Sequence, residues 1–316
     1  MAGLIINIGK FKLKNPVMMA SGTFGYAEEF KDFIDLRKIG AVVTKTITLK
    51  PRQGNLMPRT CETPQGMLNS IGLENPGIES FIRDKLPILK KIRVPLIVSI
   101  ASEGNAQEFI ALARRLDKFK EVAAVELNIS CPNIKINRSP SHQATRPQNQ
   151  KLIAQDPRAT YNLVRAARKN TKKVLITKLT PNVTDIVEIA RAAKEAGSDA
   201  VSLINTLNAM SIDVDTRKSK IAAITAGLSG PAIRPVAIRM VWEVYRKVKI
   251  PIVGIGGIVD THSALEFFIA GASAIAVGTG NFINPKASIE IIDGIKKYLI
   301  RNKIRSIKNI VGSLKI

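Results

Sequence analysis

Short apolar, β-branched runs alternate with longer amphipathic ones along the whole chain. The short runs predict strands at 16–21, 41–46, 95–101, 124–130, 174–179, 200–205, 251–255 and 274–278. Between them, apolar residues recur at helical spacing and predict helices at 26–38, 78–91, 105–119, 157–170, 183–196, 231–248, 260–270 and 286–300. Eight strand–helix repeats point to a (β/α)8 barrel with a closed parallel sheet rather than an open one. Residues 4–14 alternate apolar and polar around Gly9–Lys10, which predicts an N-terminal hairpin sealing the bottom of the barrel. No composition break resembles a linker, so residues 1–316 read as one domain.

Three connections are long: 47–77, 131–156 and 206–230. Each leaves the C-terminal end of a strand, the face on which barrel enzymes build their sites. Loops of this length in a compact domain are usually functional. The 131–156 loop is polar and rich in Pro, Ser, Asn and Gln, and its distal part is expected to be disordered.

Composition narrows the setting. The 316 residues are 45% hydrophobic and 23% charged, ample for a large core. The sequence has no continuous apolar run of membrane-spanning length, and its N-terminus is too polar for a signal peptide. With two cysteines, a reducing cytoplasm is the expected compartment. The net charge of +23 is partly carried by the 296–316 tail, which holds Lys296, Lys297, Arg301, Lys303, Arg305, Lys308 and Lys315. A basic surface suits nucleic acid, acidic partners or anionic substrates, or reflects only a drift toward lysine. The tail reads as an amphipathic helix and a docking segment, with Leu299, Ile300, Ile304 and Ile307 facing inward. It lacks the interleaved aromatics of a base-stacking platform, so nucleic acid is not an expected partner.

Candidate chemistry concentrates at strand ends. Cys131 follows the strand Ala-Val-Glu-Leu-Asn-Ile-Ser and lies between Asn128 and Asn133. A thiol beside two amides suits a site that moves a proton while holding a planar polar ligand; the plain alternative is a small residue ending a core strand. Gly254-Ile255-Gly256-Gly257 and Gly278-Thr279-Gly280 close strands seven and eight, the usual phosphate cup of a barrel. They do not form a dinucleotide fingerprint, which favours a mononucleotide such as FMN. Lys45 and Lys178 each end an apolar strand and need an anionic partner, either a flavin edge or a substrate carboxylate, unless they snorkel to the rim. Asn69, Asn128, Asn133 and Asn205 offer donors and acceptors that match an imide or ureido edge. His142 and His262 have no metal-ligand spacing, and no metal site is expected. Cys61 reads as structural.

Taken in order, Ala20-Ser21-Gly22-Thr23-Phe24-Gly25, Lys45-Thr46, Asn69 through Leu73, Glu126 through Asn133, Lys178 through Val183, Asn205-Thr206, Leu228 through Pro231, Gly256-Gly257 and Gly278-Thr279 resemble the class 1 dihydroorotate dehydrogenases over almost the full length. The resemblance is strongest to the NAD-linked type 1B branch. It implies an FMN-holding barrel that oxidises (S)-dihydroorotate to orotate in pyrimidine synthesis. Cys131 would take the C5 proton, and hydride would pass from C6 to flavin N5. Lys45, Asn69, Ser70, Ile71, Gly72, Leu73, Asn128, Asn133, Asn205 and Thr206 would hold substrate. Ser21, Lys45, Thr46, Ser99, Asn128, Lys178, Ile204, Gly230, Gly256, Gly257, Gly278 and Thr279 would hold FMN. The resemblance also implies a homodimer, extended to a heterotetramer by a partner subunit carrying FAD and a [2Fe-2S] cluster. The chain departs from the family pattern in its longer 136–155 segment, in Ser99 where the family usually has asparagine, and in its basicity. Two other readings compete: an FMN barrel acting on tRNA, like the dihydrouridine synthases, and a basic binding protein without turnover.

Overall fold

The computed structural model describes residues 3–102, 106–130 and 152–315. Eight parallel strands close into a barrel: β1 (Val17–Met19), β2 (Ala41–Val43), β3 (Leu96–Ile100), β4 (Val122–Asn128), β5 (Val174–Lys178), β6 (Ala200–Leu203), β7 (Ile252–Ile255) and β8 (Ala274–Val277). Neighbours in sequence are neighbours in the sheet, and Ile275 opposite Val17 closes the ring. β3 and β5 are buried at every position, as strands covered on both faces must be. This is the (β/α)8 architecture that the alternating pattern predicts.

The outer helices start where their caps allow. Asp156 accepts from the Ala159 N–H at 2.9 Å ahead of Pro157–Arg168, and Pro157 needs no N–H at that position. Asp185 accepts from Val187 N–H at 2.7 Å, so the helix expected from 183 begins at Ile186. After β2 the helix runs Gly77–Ser80, widens into a π turn at Phe81–Lys85 and resumes at Leu86–Ile92. Pro87 has no N–H to continue the regular ladder there.

The segment 26–38 is not the α-helix that its spacing predicts. It forms two 3-10 turns, Glu28–Phe30 and Leu36–Lys38. Gly25 and Ala27 take positive φ of 50° and 72°, which a continuous helix excludes. The Phe24 and Phe30 rings stack at 4.1 Å, and Asp35 turns back to accept from the Arg37 N–H. The tail also differs in one position. Leu299 and Ile307 are buried and Ile304 half-buried, but Ile300 lies on the outer face of Ala287–Arg301 and is 58% exposed.

The N-terminal strands Ile6–Ile8 and Phe11–Leu13 form the expected antiparallel hairpin. Lys10 Nζ donates to the Lys172 carbonyl at 2.7 Å, just before β5, which puts the hairpin at the barrel's N-terminal end. At the opposite end, two of the long connections are not irregular. Leu207–Ala209, Ala226–Ser229, Gly66–Asn69 and Thr60–Thr63 form a four-stranded antiparallel sheet above the barrel mouth. The third long connection, as far as residue 151, lies outside the described residues; its end is a 3-10 turn at Ile153–Gln155.

Candidate active site

The C-terminal ends of the strands and the antiparallel sheet enclose a cavity of about 350 Å³. Its wall begins with Ala20, Ser21, Gly22 and Thr23 after β1, and Lys45 and Thr46 after β2. Asn128 and Lys178 end β4 and β5 and stand opposite each other in register. Ile204, Asn205 and Thr206 follow β6; Gly256 and Gly257 follow β7; Gly278 and Thr279 follow β8. The roof supplies Arg59, Met67, Asn69, Ile71, Gly72, Leu73, Glu74, Ser229 and Gly230.

Glycine is required at several of these positions. Gly230, Gly256 and Gly257 have φ of 97°, 131° and 74°. A Cβ on Gly257 would lie 2.7 Å from Arg234 Cβ and 2.9 Å from the Gly230 carbonyl. At Gly22, where φ of 91° also calls for glycine, a Cβ would meet nothing within 4 Å, and at Gly278 its nearest neighbour is 3.8 Å away. Those two glycines open into the cavity, and their missing side chains leave room for a ligand.

The charges are unequal. Lys178 is only 5% exposed, and its ammonium has no hydrogen bond or ion pair among the described residues. Lys45 Nζ lies 3.8 Å from Glu74 Oε2, and the same oxygen takes a 2.5 Å hydrogen bond from Arg59. Glu74 is the one acid on the described cavity wall, against Lys45, Arg59 and Lys178. A cavity with this balance favours anionic ligands. Behind the glycine turn after β7, Asp260 caps Thr261–Ala270. Burial pushes its carboxyl up, but hydrogen bonds from the Ser263 N–H and Oγ, with the Arg234 charge, hold it below the usual value.

The polar floor is continuous. Thr46 Oγ1 lies 3.1 Å from Ser21 Oγ and 3.1 Å from Ser99 Oγ, and takes a 3.0 Å bond from Asn128 Nδ2. Ser99 Oγ donates to Glu126 Oε1 at 3.0 Å, and Ser202 Oγ donates to Glu126 Oε2 at 2.9 Å. On the other side, Ser130 Oγ donates to Asn128 Oδ1 at 3.1 Å, and Asn205 Nδ2 donates to Ser130 Oγ at 2.9 Å. The Thr206 N–H donates to Asn205 Oδ1 at 2.9 Å.

The cavity thus gathers Ser21, Lys45, Thr46, Asn69, Ile71, Gly72, Leu73, Asn128, Lys178, Ile204, Asn205, Thr206, Gly230, Gly256, Gly257, Gly278 and Thr279, all singled out from sequence. Ser70 and Ser99 are not on its wall. Ser70 turns its hydroxyl to Asn55 Nδ2 at 2.9 Å, and Ser99 is wholly buried one layer beneath Thr46. Cys131, Asn133 and His142 lie outside the described residues. His262 is exposed on the first turn of Thr261–Ala270, and Cys61 sits half-buried in Thr60–Thr63. Arg59, Glu74 and Met67 are on the wall without being expected there from sequence, and Ser229 is expected only as part of the Leu228–Pro231 motif, with no role of its own. The antiparallel sheet brings in Arg59, Met67 and Ser229, and no local periodicity announces that sheet. Glu74 had a signal, because it sits directly after the motif that ends at Leu73.

Residues 4–299 match the family described as dihydroorotate dehydrogenase. The chain is 50% identical over 312 residues to the catalytic subunit of dihydroorotate dehydrogenase B (NAD(+)) from Geotalea uraniireducens, covering 98% of each chain. It is 51% identical over 309 residues to the protein of that name from Trichlorobacter lovleyi, covering 98% of this chain and 97% of the relative. The corresponding subunit from Thermodesulfovibrio yellowstonii is 50% identical over 312 residues, with 99% of each chain covered. With a barrel of the expected form and a family match over almost its whole length, the chain belongs to the dihydroorotate dehydrogenase family.

Proposed function

We propose that this protein oxidises (S)-dihydroorotate to orotate in pyrimidine biosynthesis, as the FMN-holding catalytic subunit of a type B enzyme. The observation that carries the reading is the set of site residues named from sequence that line one cavity, in a chain half identical to catalytic subunits of that name.

The residues present fit a flavin mononucleotide. Gly22 and Gly278 open into the space, and the ammonium of Lys178, a residue 5% exposed on the cavity wall, has no counter-charge among the described residues. Gly230, Gly256, Gly257, Gly278 and Thr279 would take the phosphate end. Ser21, Lys45, Thr46, Asn128, Lys178 and Ile204 would take the ring. When bound, FMN supplies a two-electron acceptor for the hydride that leaves C6 of the substrate. Asn69, Leu73, Asn205, Thr206 and Asn133 orient the substrate through its amide edges, and Lys45 neutralises its carboxylate. Cys131 takes the C5 proton; a thiol base adds no permanent negative charge beside an anionic product. Thiolate is the working form, so the rate of substrate oxidation rises toward alkaline pH.

The relatives' names specify NAD(+) and a catalytic subunit, which supports a partner that carries electrons onward. We assign that partner FAD and a [2Fe-2S] cluster, and this chain a homodimeric core within a heterotetramer. Among the described residues no helix is long and apolar enough to cross a membrane, which is compatible with a cytoplasmic enzyme.

The test is the visible spectrum of the purified protein, taken anaerobically before and after L-dihydroorotate. A flavin spectrum that bleaches is the expected result, and Cys131→Ala should keep the flavin but lose most of the bleaching. A protein that cannot be loaded with FMN, or a loaded one left coloured by dihydroorotate in the presence of its partner, would overturn the reading.

A further inference from the structure

Glu126 is a buried carboxylate, 3% exposed, to which the proposed chemistry gives no task. It lies inside the barrel on β4, and its two oxygens accept from hydroxyls on β3 and β6. A carboxylate can only accept, while each hydroxyl has one proton to give. Those two facts fix the direction of every hydrogen bond between Glu126 and the cavity.

Ser99 spends its proton on Glu126 Oε1. The 3.1 Å contact between Ser99 and Thr46 is then a hydrogen bond only if Thr46 donates. Thr46 has no second proton, so its 3.1 Å contact with Ser21 requires Ser21 to donate. Its contact with Asn128 requires the amide nitrogen on that side. The opposite end of the network imposes the same answer independently. The backbone N–H of Thr206 needs Asn205 Oδ1, which turns Asn205 Nδ2 toward Ser130, and Ser130 then donates to Asn128 Oδ1. Every bond from Thr206 to Glu126 points the same way, a pattern in which each bond polarises the next.

We infer that Glu126 is a positioning residue: as terminal acceptor of the chain Ser21–Thr46–Ser99–Glu126, it leaves Ser21 with only lone pairs to offer the cavity, in keeping with the Asn128 orientation that the Thr206 end sets on its own. The group that meets Ser21 must therefore be a donor. In a flavin mononucleotide the candidates are the ring imide N–H and a ribityl hydroxyl. Glu126 thus selects the ligand's polarity from beneath the wall without touching it. This inference rests on the FMN reading above, and the experiment separates the two.

Three variants, Glu126→Gln, Ser99→Ala and Ser202→Ala, are prepared as apoprotein beside the wild type. FMN affinity is measured by quenching of flavin fluorescence, and the absorption spectrum of each loaded protein is recorded. Glu126→Gln gives Ser99 a possible donor, and Ser99→Ala removes the acceptor that commits Thr46. Either change frees Ser21 to turn its proton into the cavity, and should weaken FMN binding about tenfold and shift the visible flavin bands. Ser202→Ala removes the other donor to Glu126 but leaves the chain to Ser21 intact, so its affinity should stay within about twofold of wild type. A carboxylate that mattered only for packing would be disturbed equally from either side. Wild-type affinity and spectrum in Ser99→Ala, or equal weakening in Ser99→Ala and Ser202→Ala, would overturn the inference. Ser99→Ala keeps the carboxylate and decides the matter if Glu126→Gln does not fold. Wild-type protein that takes up no FMN would instead overturn the cofactor reading.

Discussion

Replacing Lys178 with methionine separates what the site does for a ligand from what it does for the fold. The side chains are similar in length, so packing at the end of β5 is largely preserved. In the apoprotein Lys178 is 5% exposed on the cavity wall, and its ammonium has no ion pair or hydrogen bond among the described residues. Removing it forfeits no described contact, so the apoprotein should melt no lower than wild type. On the proposed FMN reading the ammonium would meet the anionic edge of the ring, and a charge-assisted hydrogen bond of that kind contributes about 1.5–3 kcal/mol. Its loss weakens FMN binding about 10- to 150-fold. At a concentration one hundred times the wild-type dissociation constant, FMN stabilises wild type by about 2.7 kcal/mol, and Lys178→Met by about 0.3–1.3 kcal/mol. For a chain of 316 residues this is a rise in Tm of about 4 °C for wild type against about 0.5–2 °C for the variant. Thermal melts of apoprotein with and without FMN read both quantities. An apo Tm several degrees below wild type with an undiminished FMN shift would show that Lys178 serves the barrel and not the cavity.

Gly257→Ala forces a side chain into φ 74° against the Gly230 carbonyl; it should cost at least about 1 kcal/mol and lower FMN affinity, and a fully stable variant with wild-type affinity would refute the cradle. Asp260→Ala removes a helix cap and should cost about 1 kcal/mol near neutral pH. Because the Asp260 carboxyl is held below its ordinary value, its charge-dependent contribution is present above the unfolded value near 3.8 and is lost as pH falls through the lower folded value. The gap between wild type and variant in denaturant melts should therefore shrink below about pH 4; a gap that widens there contradicts the assignment. Glu74→Gln removes the acid that neutralises Lys45 and Arg59 at the mouth. Orotate should then bind about two- to five-fold tighter, with a steeper salt dependence, in a titration followed by the flavin spectrum; unchanged affinity would place Glu74 outside the substrate's field.

The barrel was legible in sequence because its signal is local. A buried parallel strand is a short apolar run, and a covering helix has its own period and a cap such as Asp156 or Asp185. The strand-end residues followed from the barrel, since a closed parallel ring brings Ser21, Lys45, Asn128, Lys178, Asn205 and Gly256 to one rim whatever lies between them. The missing parts depend on pairings that sequence does not announce. Thr60–Thr63 and Gly66–Asn69 are only four residues each and lack a run of β-branched apolar residues; they pair with each other, and Ala226–Ser229, far along the chain, supplies the second edge of Gly66–Asn69. Arg59 enters the cavity with them. Residues 26–38 carry a helical spacing that stacked phenylalanines and two left-handed residues override. Ile300 misled for a simpler reason, since an apolar residue on the outer face of a helix is common and carries no pattern of its own.

The roof sheet also dictates when the site comes into being. Gly66–Asn69 is flanked on one side by nearby Thr60–Thr63, but its other edge is completed by Ala226–Ser229, with Asn69 opposite Gly227. The chain between them contains four of the eight barrel strands. Closing a loop of that span is costly until the intervening strands have condensed, so this pairing belongs to the late stages of folding. During synthesis Asn69 emerges early, yet its roof partner arrives only after β6. A nascent or truncated chain ending before residue 226 has the barrel's first six strands and no finished roof. Ligand retention by this protein is consequently a report on chain completion, and FMN supplied during expression should favour the molecules that have finished folding.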